Sequence, residues 1–102
     1  MPHKPPVRLL VQLTFNPDAA ACFRFPIENI VRASVYFAEP RYSAPSEVQV
    51  TKPISIDVAV KLEIHIAAVD HFIGEYYSGN TFYLLGYGKK IATATIVEVI
   101  KQ

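Results

Sequence analysis

Chemistry in this chain has few places to sit. Gly86-Tyr87-Gly88-Lys89-Lys90 sets an aromatic ring between two glycines and beside two adjacent lysines. Ammonium groups hold phosphates and an aromatic face stacks bases or sugars, so the pattern suits RNA. Tyr87, Lys89 and Lys90 are therefore candidate RNA-binding residues, although charged hairpin tips also serve plain solubility. His65, Asp70 and His71 are metal-ligand types close in sequence. Zinc asks for three or four ligands in tetrahedral geometry, and no cysteine accompanies these three. They read as a solvated face, with no metal expected. Cys22 lies between Ala21 and Phe23 with no fixed histidine partner, and reads as a small packed thiol. Asp57 and Glu63 share a period-two register with Lys61 and His65, which sets paired carboxylates where acid and base work needs them. A wet strand face of mixed charge has the same pattern. There is no Gly-x-Ser-x-Gly elbow for a serine nucleophile. There is no Gly-x-x-x-x-Gly-Lys-Ser/Thr loop to cradle a nucleotide's phosphates. The expectation is a non-catalytic chain with no cofactor and no bound nucleotide.

Tyrosines mark a second candidate surface. The chain holds six, and His71-Phe72-Ile73-Gly74-Glu75-Tyr76-Tyr77 is too apolar for an ordinary exposed loop. Tyrosine is large, stiff and amphipathic, and is favoured at interfaces. Phe72, Tyr76 and Tyr77 are the candidate residues for docking a protein partner; the same segment also suits a lid over a barrel end. Pro2-His3-Lys4-Pro5 fits a Pro-x-x-Pro pattern, a frequent chance match.

The elements that must position these residues are strands. Apolar side chains recur at every second position: Val7, Leu9, Val11, Leu13 and Phe15 in one run, and Ile54, Ile56, Val58, Val60, Leu62, Ile64 and Ile66 in another. That is the period of a half-buried strand. The second run exceeds the usual five or six residues, so a bend, a bulge or a strand shared between two sides of a barrel is expected. Asn16-Pro17-Asp18 punctuates as a turn. Ala19 to Phe25 fits either a helical turn or a strand. Further strands are expected over 30–37, 47–50, 81–85 and 91–100. A loop holds Pro40 and Pro45, and a hairpin turn spans Gly86 to Lys89. The last strand has apolar residues on both faces, which predicts burial on both sides. The first six residues read as an extended lead-in to one domain spanning 1–102.

Composition bounds the class. At 102 residues, the chain fits one domain and buries enough surface to fold without a staple. It is 51% hydrophobic with a formal charge of +1, which excludes a disordered chain and any global pull toward nucleic acid or anionic membrane. The single cysteine forms no internal disulfide, no apolar run nears the roughly 20 residues of a membrane helix, and no apolar region follows a basic start. A cytoplasmic location away from membranes is expected.

The last third has a recognisable order: the Gly-bounded turn Ser78-Gly79-Asn80, the strand Thr81-Phe82-Tyr83-Leu84-Leu85, the turn Gly86 to Lys90, then Ile91-Ala92-Thr93-Ala94-Thr95-Ile96-Val97. This resembles the end of the C-terminal barrel, the third domain, of elongation factor Tu and related translation factors. Phe82 stands at the family's phenylalanine, Gly88 at its second turn glycine and Lys89 at its basic residue. Ala92-Thr93-Ala94 replaces its Gly-Ala-Gly, and Lys4-Pro5 to Phe15 is similar to its entry into the barrel. The likeness covers about the first 15 and last 25 residues, while Ala67 to Tyr76 runs longer than in the family. It implies an all-β fold, a six-stranded antiparallel barrel, and contact with the T stem of aminoacyl-tRNA at the turn, where Gly86 and Tyr87 take the contacting places. Tyr87 replaces a glycine there, a departure that counts against the same contact.

Two functions follow as expectations. One is a non-catalytic binding module that docks to a protein partner or to tRNA or other RNA. The other is a small inhibitory, immunity-type or adaptor protein that occupies one target. An enzyme or ligand carrier is disfavoured, because alternating Ile, Val and Leu fill a barrel interior rather than leaving it open.

Overall fold

The structure, a computed structural model, describes residues 5–37 and 42–102, apart from the side chain of His71. The expectations that concern Pro40 and the Pro2–Lys4 part of the lead-in lie outside the described residues. Val7 to Phe15 forms strand β1 over the expected span, with Leu9, Val11, Leu13 and Phe15 fully buried. Five more strands follow: β2 (Val31–Tyr36), β3 (Ala44–Gln49), β4 (Val60–Ile66), β5 (Thr81–Gly86) and β6 (Lys89–Lys101). They close in the order β1-β4-β3-β2-β5-β6, every neighbour antiparallel. The protein is a six-stranded antiparallel β-barrel. Its inward residues, from Phe15 and Phe82 to Ile64, Ile66, Leu84 and Ile96, fill the interior as one continuous core. Two short 3₁₀ turns, η1 (Pro17–Ala21) and η2 (Asp70–Phe72), sit at opposite ends of the barrel. Among the described residues no helix is long and apolar enough to cross a membrane.

Three segments differ from their sequence reading. The long alternation from Ile54 to Ile66 has the bend expected of so long a run, but it is not one strand, and only Val60 onward belongs to β4. Asp57 adopts a positive φ of 62° and its N–H donates to the Phe15 carbonyl at 2.8 Å. Ile54 leaves the line to exchange two 2.9 Å hydrogen bonds with Ile27. Val58, expected inside, is 49% exposed. Period two reports only local alternation, and the turn at Asp57 resets it.

Pro45 was expected in a loop but lies inside β3, opposite Ser34. Its carbonyl accepts from the Ala67 N–H at 2.9 Å, one residue past the end of β4. A residue's N and C=O share one side of a strand, so what proline forgoes is only the return bond to Ala67, at the last rung and beyond the end of β4.

The two-faced apolar pattern of β6 comes from register shifts, not from burial on both sides. Opposite β1, Ala92, Ala94 and Ile96 pair with Phe15, Leu13 and Val11, but Leu9 pairs with Val99. Opposite β5, Leu84 pairs with Ala92 and Leu85 with Lys90, which leaves Ile91 as the extra residue. Along β6 the first shift moves the inward set from odd to even positions, from Ile91 to Ala92, Ala94 and Ile96, and the later one returns it to odd at Val99. Thr93 and Ile100 accordingly face solvent.

Candidate functional site

The β5–β6 hairpin closes through two residues, Tyr87 and Gly88, with φ of 50° and 76°. Positive φ at both centres is the tight turn whose twist matches the flanking strands, and it favours Asn-Gly rather than Tyr-Gly. Tyr87 therefore sits in a backbone region that glycine or asparagine occupies more readily. Its side chain is held out from the fold, 85% exposed. Lys89 and Lys90 follow as the first exposed residues of β6. The Lys90 ammonium lies 4.1 Å from the centre of the Tyr83 ring, and that ring is 5.4 Å from Tyr36. A cation over an aromatic face is partly stabilised there while it keeps its charge.

One residue anchors η1 to this hairpin. Asn16 donates through its side-chain amide to the Lys90 carbonyl at 2.8 Å and through its backbone N–H to the Ile91 carbonyl at 2.9 Å. Its Oδ1 caps the turn by accepting from the Asp18 N–H at 2.9 Å. Phe23 and Phe25, the alternating pair of the ambiguous segment, then pack edge-on against Phe15 at 6.2 and 5.8 Å. The residues of η1 are thereby pressed against the hairpin. Gly86 is required by this contact, because a Cβ there would stand 2.6 Å from the Cys22 sulfur.

Between η1 and the hairpin lies a cleft of about 330 Å³, lined by Pro17, Asp18, Ala21 and Cys22 on one side and Gly86, Tyr87 and Lys89 on the other. Among the described residues neither the Asp18 carboxylate nor the Lys89 ammonium forms a hydrogen bond or ion pair. Three of the four RNA-binding candidates, Gly86, Tyr87 and Lys89, thus share one concavity, with Lys90 on its flank. Asp18 and the η1 wall were missed in the sequence. Asn16-Pro17-Asp18 signals only a turn, and the partner it packs on lies 74 residues away.

The partner-docking trio separates. Phe72 and Tyr76 are 3% and 9% exposed and pack edge-on around Phe37, at 4.9 and 5.7 Å, over the barrel end opposite the hairpin. These two rings belong to the protein's own core, because the apolar segment closes the barrel end rather than facing outward. Tyr77 is 55% exposed, next to Ile73 at 76%. Among the described residues the buried Tyr76 hydroxyl has no hydrogen-bond partner, and burial pushes its pKa up to about 12.

The charged strand face is spent on itself. Arg8 donates to both Glu63 oxygens, at 2.9 and 3.1 Å, and His65 Nε2 meets the same carboxylate. The Arg8 hydrogen bonds, with the His65 contact, hold the Glu63 carboxyl down at about 2. Asp57 lies on its own turn rather than on this face, so the paired-carboxylate arrangement does not form. Arg32 pairs with Glu47 at 3.0 Å on the neighbouring strands. Arg32, Glu47 and His65 line an outer-wall groove of about 660 Å³ with Ser34, Pro45 and Leu85, and each of the three is already engaged with an oppositely charged or hydrogen-bonding neighbour. Among the described residues no three potential metal ligands gather. His65 is engaged with Glu63, and the His71 side chain lies outside the described residues. No protein-family model matches the chain, and no curated protein matches it either.

Proposed function

We propose that this protein is a non-catalytic binding module, resembling the third domain of elongation factor Tu, that contacts RNA through the β5–β6 hairpin. The observation that carries the reading is Tyr87. A tyrosine in a left-handed turn, with its ring almost wholly in solvent, adds little to the barrel's own packing. Local conformational cost without a folding return is the signature of a residue kept for contact. Two lysines adjoin it, one already stacked on a second tyrosine. Cations beside exposed rings are what a phosphate backbone with accessible bases requires. The test is recovery from native lysate with the purified chain as bait, with and without RNase. RNA that is retained, and lost from the Lys89→Ala/Lys90→Ala variant together with part of the salt dependence, supports the reading. An unchanged salt slope overturns it.

A second reading rests on the opposite barrel end. Ile73 and Tyr77 are apolar and exposed beside the η2 lid, which suits one dedicated protein target, as for an inhibitory, immunity-type or adaptor protein. One RNase-resistant protein recovered at stoichiometric yield, and lost with Tyr77→Ala, supports that reading over the first.

A further inference from the structure

We propose that the cleft between η1 and the β5–β6 hairpin takes a single guanine base, with Asp18 reading its edge and Lys89 holding its phosphate. The inference rests on the RNA reading of the hairpin and names what the hairpin binds. The cleft's volume of about 330 Å³ lies at the small end of the range for ligand pockets. Pro17, Ala21, Cys22 and Gly86 give it largely apolar walls suited to a flat ring, and Tyr87 lines its hairpin side with a solvent-exposed ring free to stack on a base that enters.

The two charged groups decide the class of base. Asp18 and Lys89 line the same cleft, yet neither is paired with any described residue. An unpaired anion and an unpaired cation across one concavity complement a ligand with hydrogen-bond donors at one end and negative charge at the other. A nucleotide has that layout. A carboxylate only accepts hydrogen bonds, and its two oxygens match two adjacent N–H donors. Guanine offers such a pair on its Watson–Crick edge. Adenine and cytosine set one amino group beside a ring acceptor that a carboxylate repels, and uracil has one N–H between two carbonyls. The backbone of Asp18 is fixed on the η1 side of the cleft, since its N–H is held by Asn16 and Asn16 is bonded to the hairpin at Lys90, while its exposed carboxylate stays free to meet a ligand.

The test is fluorescence anisotropy with labelled oligouridylates that carry a single central G, A or C, beside a titration of guanosine monophosphate. The G oligomer is expected to bind about tenfold or more tightly than the A and C oligomers. Asp18→Asn keeps the size but loses one acceptor, and should bring the G-to-A ratio to near one. Ala21→Leu fills the cleft from an exposed position and should abolish the same preference. Binding of the monophosphate with the same Asp18 dependence identifies a free nucleotide as a source of the base. G preference confined to oligomers identifies RNA. Equal binding of all oligomers, with a Lys89-dependent salt slope intact, overturns the guanine inference and leaves the hairpin reading standing. Binding of neither oligomer nor monophosphate by the native protein overturns both.

Discussion

Replacing Tyr87 by asparagine should make this protein more stable and a weaker binder. Tyr87 has a φ of 50°, where an L-residue with a bulky side chain costs about 1–2 kcal/mol, and asparagine tolerates the region better. The ring is 85% exposed, so its removal uncovers little apolar surface, at most about 0.5 kcal/mol. Tyr87→Asn also creates the Asn-Gly pair that this two-residue turn favours. The net expectation is a gain of about 1 kcal/mol, which is a rise in Tm of about 4–8 °C for a domain of this size. Thermal unfolding followed by far-UV circular dichroism, with urea titration as a second probe, reads the change. RNA retention should fall in the same variant. A lower Tm would show that Tyr87 supports the fold through contacts the ring makes, and would remove the argument that it is kept for a partner. A higher Tm with unchanged RNA retention would keep the strain and refute its functional meaning.

Other substitutions separate the core from the site. Tyr76→Phe deletes a buried hydroxyl that has no partner among the described residues, so stability should hold or rise by up to about 1 kcal/mol in urea denaturation, whereas Tyr76→Ala should lose about 3–5 kcal/mol. Gly86→Ala places a methyl 2.6 Å from the Cys22 sulfur and should destabilise by about 1–3 kcal/mol; Cys22→Ala in the same chain should restore part of the loss in thermal melts. The Glu63 carboxyl, held near 2 by Arg8 and His65, stabilises the fold when ionised. That contribution is complete above the ordinary carboxylate value of 4.5 and fades as pH falls toward 2, because the unfolded chain takes up the proton first. Solvent screening of this part-exposed pair reduces it to about 1 kcal/mol. The stability difference between native protein and Glu63→Gln, measured by urea titration, should be present at neutral pH and vanish near pH 2.

The amino-acid sequence by itself determined the strand class and much of its detail. Alternation placed β1 from Val7 to Phe15, because a side chain's face in a strand depends only on its own position parity. Gly88 and its neighbours marked the hairpin, because positive φ is a property of the residue as much as of the fold. Tyr87, Lys89 and Lys90 were visible for the same reason: an exposed tip owes little to distant contacts. Parity failed where a distant contact resets it. The turn at Asp57 answers to the Phe15 carbonyl, and the shifts in β6 answer to strands β1 and β5. Pro45 joined β3 because β4 ends beside it. Burial of Phe72 and Tyr76 was decided by Phe37, about 35–39 residues away in the chain, since an apolar loop has the same composition whether it covers its own barrel or faces a partner. The cleft exists only after closure, when Asn16 reaches the hairpin and brings the Asp18 carboxylate and the Lys89 ammonium to opposite walls of one space.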